Sequence, residues 1–177
     1  MRSLLILLLL FTPLAHADEG FRTSPFDAKA AANAYARAAG LSPIGMTGSL
    51  ELRIWTRDYM LGSVAGIVVS HGTQQSFGSS SSYSQGKITI RAARLSKPKP
   101  VSNLVELKEL VAELEPYDKA SISCGVMDGG SVLIDAAVQG HAITFEVDNP
   151  ASCKDKASQI VVKLCSVLAA QARPANH

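Results

Sequence analysis

From Leu50 the side chains alternate: Leu50, Leu52 and Ile54 are apolar, Glu51 and Arg53 are charged, and Trp55 falls on the charged side. A period of two predicts a half-buried β-strand. After a turn near Asp58 to Gly62, the Val- and Ile-rich residues 63–70 predict a second strand. A third is expected over 87–95, where Ile88, Ile90 and Ala92 alternate with Lys87, Thr89 and Arg91. Between the second and third, residues 72–86 are mostly Ser, Gly and Gln, with Phe77 and Tyr83 set among them. Such composition has little apolar area to bury and predicts a mobile loop.

Helical spacing appears in three places. Ser24 as N-cap, Pro25 at the first position, Asp27 in the first turn and Gly40 as a stop outline an Ala-rich opening helix. Pro98 and Pro100 punctuate the exit from the third strand, and Ser102 or Asn103 caps a second helix. Leu104, Leu107, Leu110, Val111 and Leu114 share one face of it. Ser152 with Asp155 reads as a capping box opening a third helix to about residue 170, with Ile160, Val161, Leu164 and Leu168 as its stripe. Between the last two helices, strands are expected over 120–127, 131–138 and 141–147. The fold expected is one α+β domain over 18–177: an opening helix, then two β-β-β-α units. One antiparallel sheet or two would carry helices packed on one face, and a disordered tail would occupy 172–177.

Gln139-Gly140 as a two-residue hairpin sets Ala136 opposite Ile143, Ile134 opposite Phe145 and Val132 opposite Val147, an apolar face. Asp135, Thr144 and Glu146 then share the other face, which reads as solvated. A three-residue loop at Asp128 to Gly130 sets Cys124 opposite Ile134, inside the core. The three cysteines are Cys124, Cys153 and Cys165. Cys153 and Cys165 on one helix stand about 18 Å apart at 1.5 Å rise per residue, too far to bridge. The bridge expected is Cys124–Cys153, with Cys124–Cys165 as the alternative and the spare thiol inert.

The first residues change the setting. Arg2, the apolar run Leu4 to Phe11, Pro13 and Ala15-His16-Ala17 have the layout of a cleavable export signal over 1–17, shorter than a membrane span requires. The mature chain is expected free in the periplasm or outside the cell. Removing seventeen of 177 residues leaves 160, enough for one core. Sixteen Lys and Arg then face fifteen Asp and Glu, a balance that argues against nucleic acid as a partner.

Candidate chemistry is sparse. A Ser-His-Asp set from residues 79–82, His71 and Asp58 can be drawn, but no Gly-x-Ser-x-Gly elbow supports it. His141 at a hairpin end reads as structural. No spacing suggests a metal site, and no cofactor is expected. Binding is the better candidate. Arg53, Trp55 and Arg57 lie on the outward side of the first strand, Arg91 outward on another, and His71, Phe77 and Tyr83 in or beside the Ser-rich loop. Exposed Trp and Arg are the types that anchor protein interfaces. The preferred reading, however, is that the Ala-rich helix covers Trp55 and the arginines are simply solvated; the patch becomes the leading binding site where that helix does not lie over it.

Leu52-Arg53-Ile54-Trp55, Cys124-Gly125, Asp128-Gly129 and Ile134-Asp135-Ala136 together resemble a loose group of small exported bacterial domains, over about Leu50 to Leu168. The resemblance implies an α+β fold and no activity. The function expected is non-catalytic binding: an inhibitor or immunity-type protein that occludes a partner such as a cell-wall-active enzyme. An envelope or secretion-system assembly factor is the alternative, and a hydrolase with an unrecognised site the third.

Overall fold

The computed structural model describes residues 27–45, 48–58, 62–84, 87–91, 94–125 and 130–172. The expected export signal, the lead-in, the Ser24–Pro25 helix start and most of the expected tail lie outside the described residues. The elements in chain order are α1 (Ala28–Ala38), β1 (Glu51–Asp58), β2 (Ser63–Ser70), β3 (Thr73–Ser84), β4 (Lys87–Ile90), β5 (Lys99–Pro100), α2 (Leu104–Ala112), β6 (Ser121–Ser123), β7 (Gly130–Val138), β8 (His141–Asp148) and α3 (Lys156–Ala172). The class is α+β. One sheet runs β4-β3-β2-β1-β7-β8-β6, with the two-residue β5 paired to β3. All pairings are antiparallel except β6 with β8.

Three helices cover this sheet, on both faces rather than one. Beneath α2 and α3 lies the larger core. Leu52 and Ile54 of β1, Ile134 and Ala136 of β7, and Phe145 and Val147 of β8 meet Leu107, Val111, Val161 and Leu164. Across the opposite face lies α1, over Trp55, Val64, Val68, Phe77 and Leu133. Alternation sends successive residues of one strand to opposite faces. With both faces covered, β7 is buried from Ser131 to Val138. That is why Leu133 and Ala137 are apolar on the side that the sequence reading took as solvated.

Local signals set the helix ends. Asp27 caps α1, its Oδ1 accepting from the N–H groups of Lys29 and Ala30 at 2.9 and 3.1 Å. Gly40 stops it with φ +72°, where Leu41 N–H donates to the Ala36 carbonyl and Gly40 N–H to that of Arg37, a Schellman ending. Asp155 caps α3 by accepting from Ser158 N–H and Oγ–H at 2.9 and 2.6 Å. Ser152 is not in that cap; it belongs to a short 3-10 turn, Pro150–Ser152. Ala172, placed in the tail by the sequence reading, is the last residue of α3.

The β7–β8 register is the one expected, Val132↔Val147 through Val138↔His141, with Gln139 and Gly140 both at positive φ in the hairpin turn. Further expectations fail: among the described residues five strands, β1 to β5, stand between α1 and α2 where a β-β-β-α unit was expected, and the strand expected over 87–95 is β4, ending at Ile90. Residues 73–84 are the long strand β3 instead of a mobile loop: a turn at His71-Gly72 returns the chain along β2, and Phe77 is buried in the α1 core. Backbone pairing and one aromatic anchor outweigh the Ser-rich composition. The strand expected over 120–127 shrinks to β6 and runs parallel to β8 at the sheet edge, not antiparallel to β7. Cys124 is consequently exposed rather than in the core. It nevertheless lies at disulfide distance from Cys153, Cα to Cα 5.6 Å.

Two packing constraints are testable. A Cβ at Gly66 would run into the Trp55 indole, so Gly66→Ala should lower the unfolding free energy by about 1–3 kcal/mol in urea titration. Gly78→Ala, in open space, should change it little. The Cys124–Cys153 bridge closes a separation of 29 residues, and replacing both by Ser should lose about 3–4 kcal/mol in the same assay.

Candidate functional site

The candidate binding residues divide into a buried group and a scattered one. Trp55 is 1% exposed, its ring 5.7 Å from that of Tyr35 on α1 and 5.5 Å, edge-on, from that of Phe77. Edge-to-face pairing of this kind adds to the burial of the rings. Arg53 is also buried, with an Nη2 to Glu51 Oε2 distance of 3.9 Å. Burial lowers the pKa of its guanidinium, and the charges of Asp135 and Glu51 act the other way. α1 therefore covers Trp55, as the preferred reading had it, together with Arg53, and Phe77, expected in a mobile loop, is buried with them, so none of the three is a surface anchor.

Arg57 lies on the same side of β1 and reaches Glu146 at 3.5 Å. His71 is exposed in the β2–β3 turn, away from the group. Arg91 is exposed beyond β4, its N–H donating to the Ser80 carbonyl and its carbonyl accepting from Ser79 Oγ–H. Tyr83 pairs with Ile88 in the β3–β4 ladder, and its side chain lies outside the described residues. Asp58 and His71 flank opposite ends of β2, about 25 Å apart at 3.3 Å per residue. That distance excludes a Ser-His-Asp relay between them.

Beside the aromatic group is a polar cluster that the sequence reading assigned to solvent. Asp135, directly across from Arg53 on β7 and from Thr144 on β8, is 1% exposed. Its Oδ1 accepts from Lys29 Nζ at 2.8 Å and from Thr144 Oγ–H at 2.8 Å. Glu146 is 4% exposed. Burial raises its pKa above the ordinary 4.5, against a hydrogen bond from Ser131 and the charge of Arg57, while Asp148 adds to the rise. The one available clue was that residues alternating with Asp135 on that face, Leu133 and Ala137, are apolar.

A groove of about 340 Å³ opens at the end of the sheet, on the α3 face. Its lining includes Thr56, Asp58, Ser63, Ala65, Ser131 and Asn149. The walls are constrained: a Cβ on Gly130 would collide with the Arg57 carbonyl, and Asn149 holds φ +49° while its Oδ1 accepts from Gly130 N–H at 3.1 Å. Nearby, Cys124, Cys153 and Asp155 place their ligand atoms within 4.8 Å of one another. The two sulfurs pair with each other and Asp155 caps α3, so these groups are already engaged. Burial pushes the Cys165 thiol up to about 11, which keeps it neutral and unreactive near pH 7.

No protein-family model matches the chain, and no curated protein matches it. No helix among the described residues is long and apolar enough to cross a membrane.

Glu146 supplies a pH test. A carboxyl with a raised folded pKa holds its proton more tightly in the native state. It therefore favours folding at low pH and loses that contribution as pH rises from about 4.5 through the raised value. Glu146→Gln does not titrate, so the stability of the native chain relative to this variant should fall between pH 4 and pH 7, read from urea titrations at three pH values. A difference that grows with pH would mean that the Arg57 ion pair outweighs burial.

Proposed function

We propose that this is an exported, non-catalytic binding protein of the inhibitor or immunity type, which occludes a partner protein through the open half of its sheet. The observation that carries the reading is an uncovered platform. On the α2/α3 face, Val69 of β2 and Gln74 of β3 are covered, Gln74 Nε2 donating to the Leu168 carbonyl of α3, while Thr56, Ser63, Ala65, Ser76, Gly78 and Ser80, toward the other end of these strands, remain exposed. Their neighbours on the other face, Val64, Val68 and Phe77, are buried. The register places Ser63↔Ser80 and Ala65↔Gly78 side by side, next to Thr56↔Ala65.

All six side chains are small and uncharged, so a partner's surface can approach the sheet closely without desolvating a charge. Thr56, Ser63 and Ala65 also line the groove, which makes platform and groove one continuous surface. A rigid, pre-formed surface loses little conformational entropy on association. In this reading the contact is made by the strand face, in place of the plugging loop that the sequence suggested. The sulfur pair supports an oxidising compartment such as the periplasm.

Pull-down from periplasmic extract with chemical cross-linking tests the reading. Ala65→Lys and Gly78→Lys, both at exposed positions, should fold normally and reduce partner recovery about tenfold or more. Gln159→Lys, exposed on α3, should leave recovery unchanged. Equal recovery by all four proteins, or no partner with any of them, would overturn the platform reading.

A further inference from the structure

We propose that α1 is a lid that opens from the sheet as a unit while the remaining fold stays closed, and that it controls access to Arg53, Trp55 and Asp135. The packing under α1 differs in kind from that under α2 and α3. Its buried side chains are Ala31, Ala32, Ala36 and one large residue, Tyr35, with Ala39 just past its end, whereas the other helices insert Leu, Ile and Val. Hydrophobic stabilisation scales with apolar area removed from water, so an alanine stripe holds its sheet less firmly than a leucine stripe.

The polar atoms beneath the helix make the same point independently. Arg53 Nη1, Trp55 Nε1 and Asp135 Oδ2 are buried without a hydrogen-bond partner among the described residues. All three residues lie on the face that α1 covers, at 6%, 1% and 1% exposure. Each unpaired buried group disfavours the closed state, and water pairs each of them once the helix lifts. Lys29 Nζ ties the helix to the sheet by donating to Asp135 Oδ1 and to Thr144 Oγ1, with the Lys29 side chain 48% exposed and therefore partly screened. Opening breaks no rung of the sheet, because α1 is not part of the strand ladder. Gly40, at φ +72°, and Gly45 give the connection to β1 freedom to pivot.

Trp55 is the only tryptophan, so its fluorescence reports this opening on the full chain. Acrylamide quenching and amide hydrogen exchange read by mass spectrometry are to be compared in urea below the main unfolding transition. The expected result is that quenching of Trp55 rises together with exchange over 28–38 while β7 and β8 stay protected. Lys29→Met, which removes the hydrogen bonds to Asp135 and Thr144, should raise the opening constant roughly tenfold or more and leave the protection of β7 and β8 unchanged. Ala30→Gly, at an exposed helix position, should raise it about fivefold through helix propensity alone. If Trp55 becomes quenchable only when β7 and β8 exchange, in the native chain and both variants, the lid does not exist.

Discussion

Strand β1 divides its side chains between two cores, and the rest of the molecule is arranged around that division. Leu52 and Ile54 go under α2 and α3; Arg53 and Trp55 go under α1. Its two neighbours in the sheet, β2 and β7, come from distant parts of the chain. Pairing β1 with β7 in register is therefore what joins the two halves into a single sheet. Gly66 belongs to the same constraint. It sits across from Trp55 on β2, and the missing side chain makes the space that the indole fills. A larger residue there would oppose both the register and the seating of α1.

Putting a charged row into that second core shapes its energetics. Arg53, Asp135 and Lys29 stand next to one another in alternating sign, followed by Arg57 and Glu146. Buried charges are costly unless paired, and pairing rarely repays the full desolvation. The effect is visible in Glu146, whose carboxyl is pushed toward its neutral form despite a nearby guanidinium. Such a row is a poor source of stability but a good source of specificity, since a one-residue register shift would turn a strand's members of it to the opposite face, away from Lys29 on α1. The larger core, built chiefly from Leu, Ile, Val and Phe, carries the stability, and the smaller one can yield first.

Chemistry stays at the margins of this arrangement. The cysteine pair braces the short parallel strand β6 against the start of α3, beside the groove. Its position at an edge, with Cys124 exposed, suits a staple between peripheral segments more than a core element. Groove and open platform then lie on well-supported backbone, while the aromatic and arginine side chains that resemble an interface are held inside. In the proposed reading the platform is made of small neutral residues, with Arg57 and Asp58 in the groove beside it, and recognition would rest on shape more than on aromatic anchors.

Alternating and helical periods in the sequence determined the α+β class, β1, β2, the β7–β8 hairpin with its register, and the stripes of α2 and α3. Those features depend on contacts between residues close in sequence or on reach along one element, which a linear pattern can encode. Tertiary structure alone decided which faces were covered. Asp135 and Glu146 read as solvated because polarity on a strand cannot reveal that a helix from the far end of the chain lies over it. The Ser-rich segment read as a loop because β3 gains its order from the ladder with β2 and from Phe77, not from its own composition. For β6 the parallel partner lies across the β7–β8 hairpin, and no local turn chemistry specifies such a pairing. The candidate site moved for the same reason: residue type proposed Trp55 and Arg53, and burial, a property of the assembled sheet and helices, took them out of solvent.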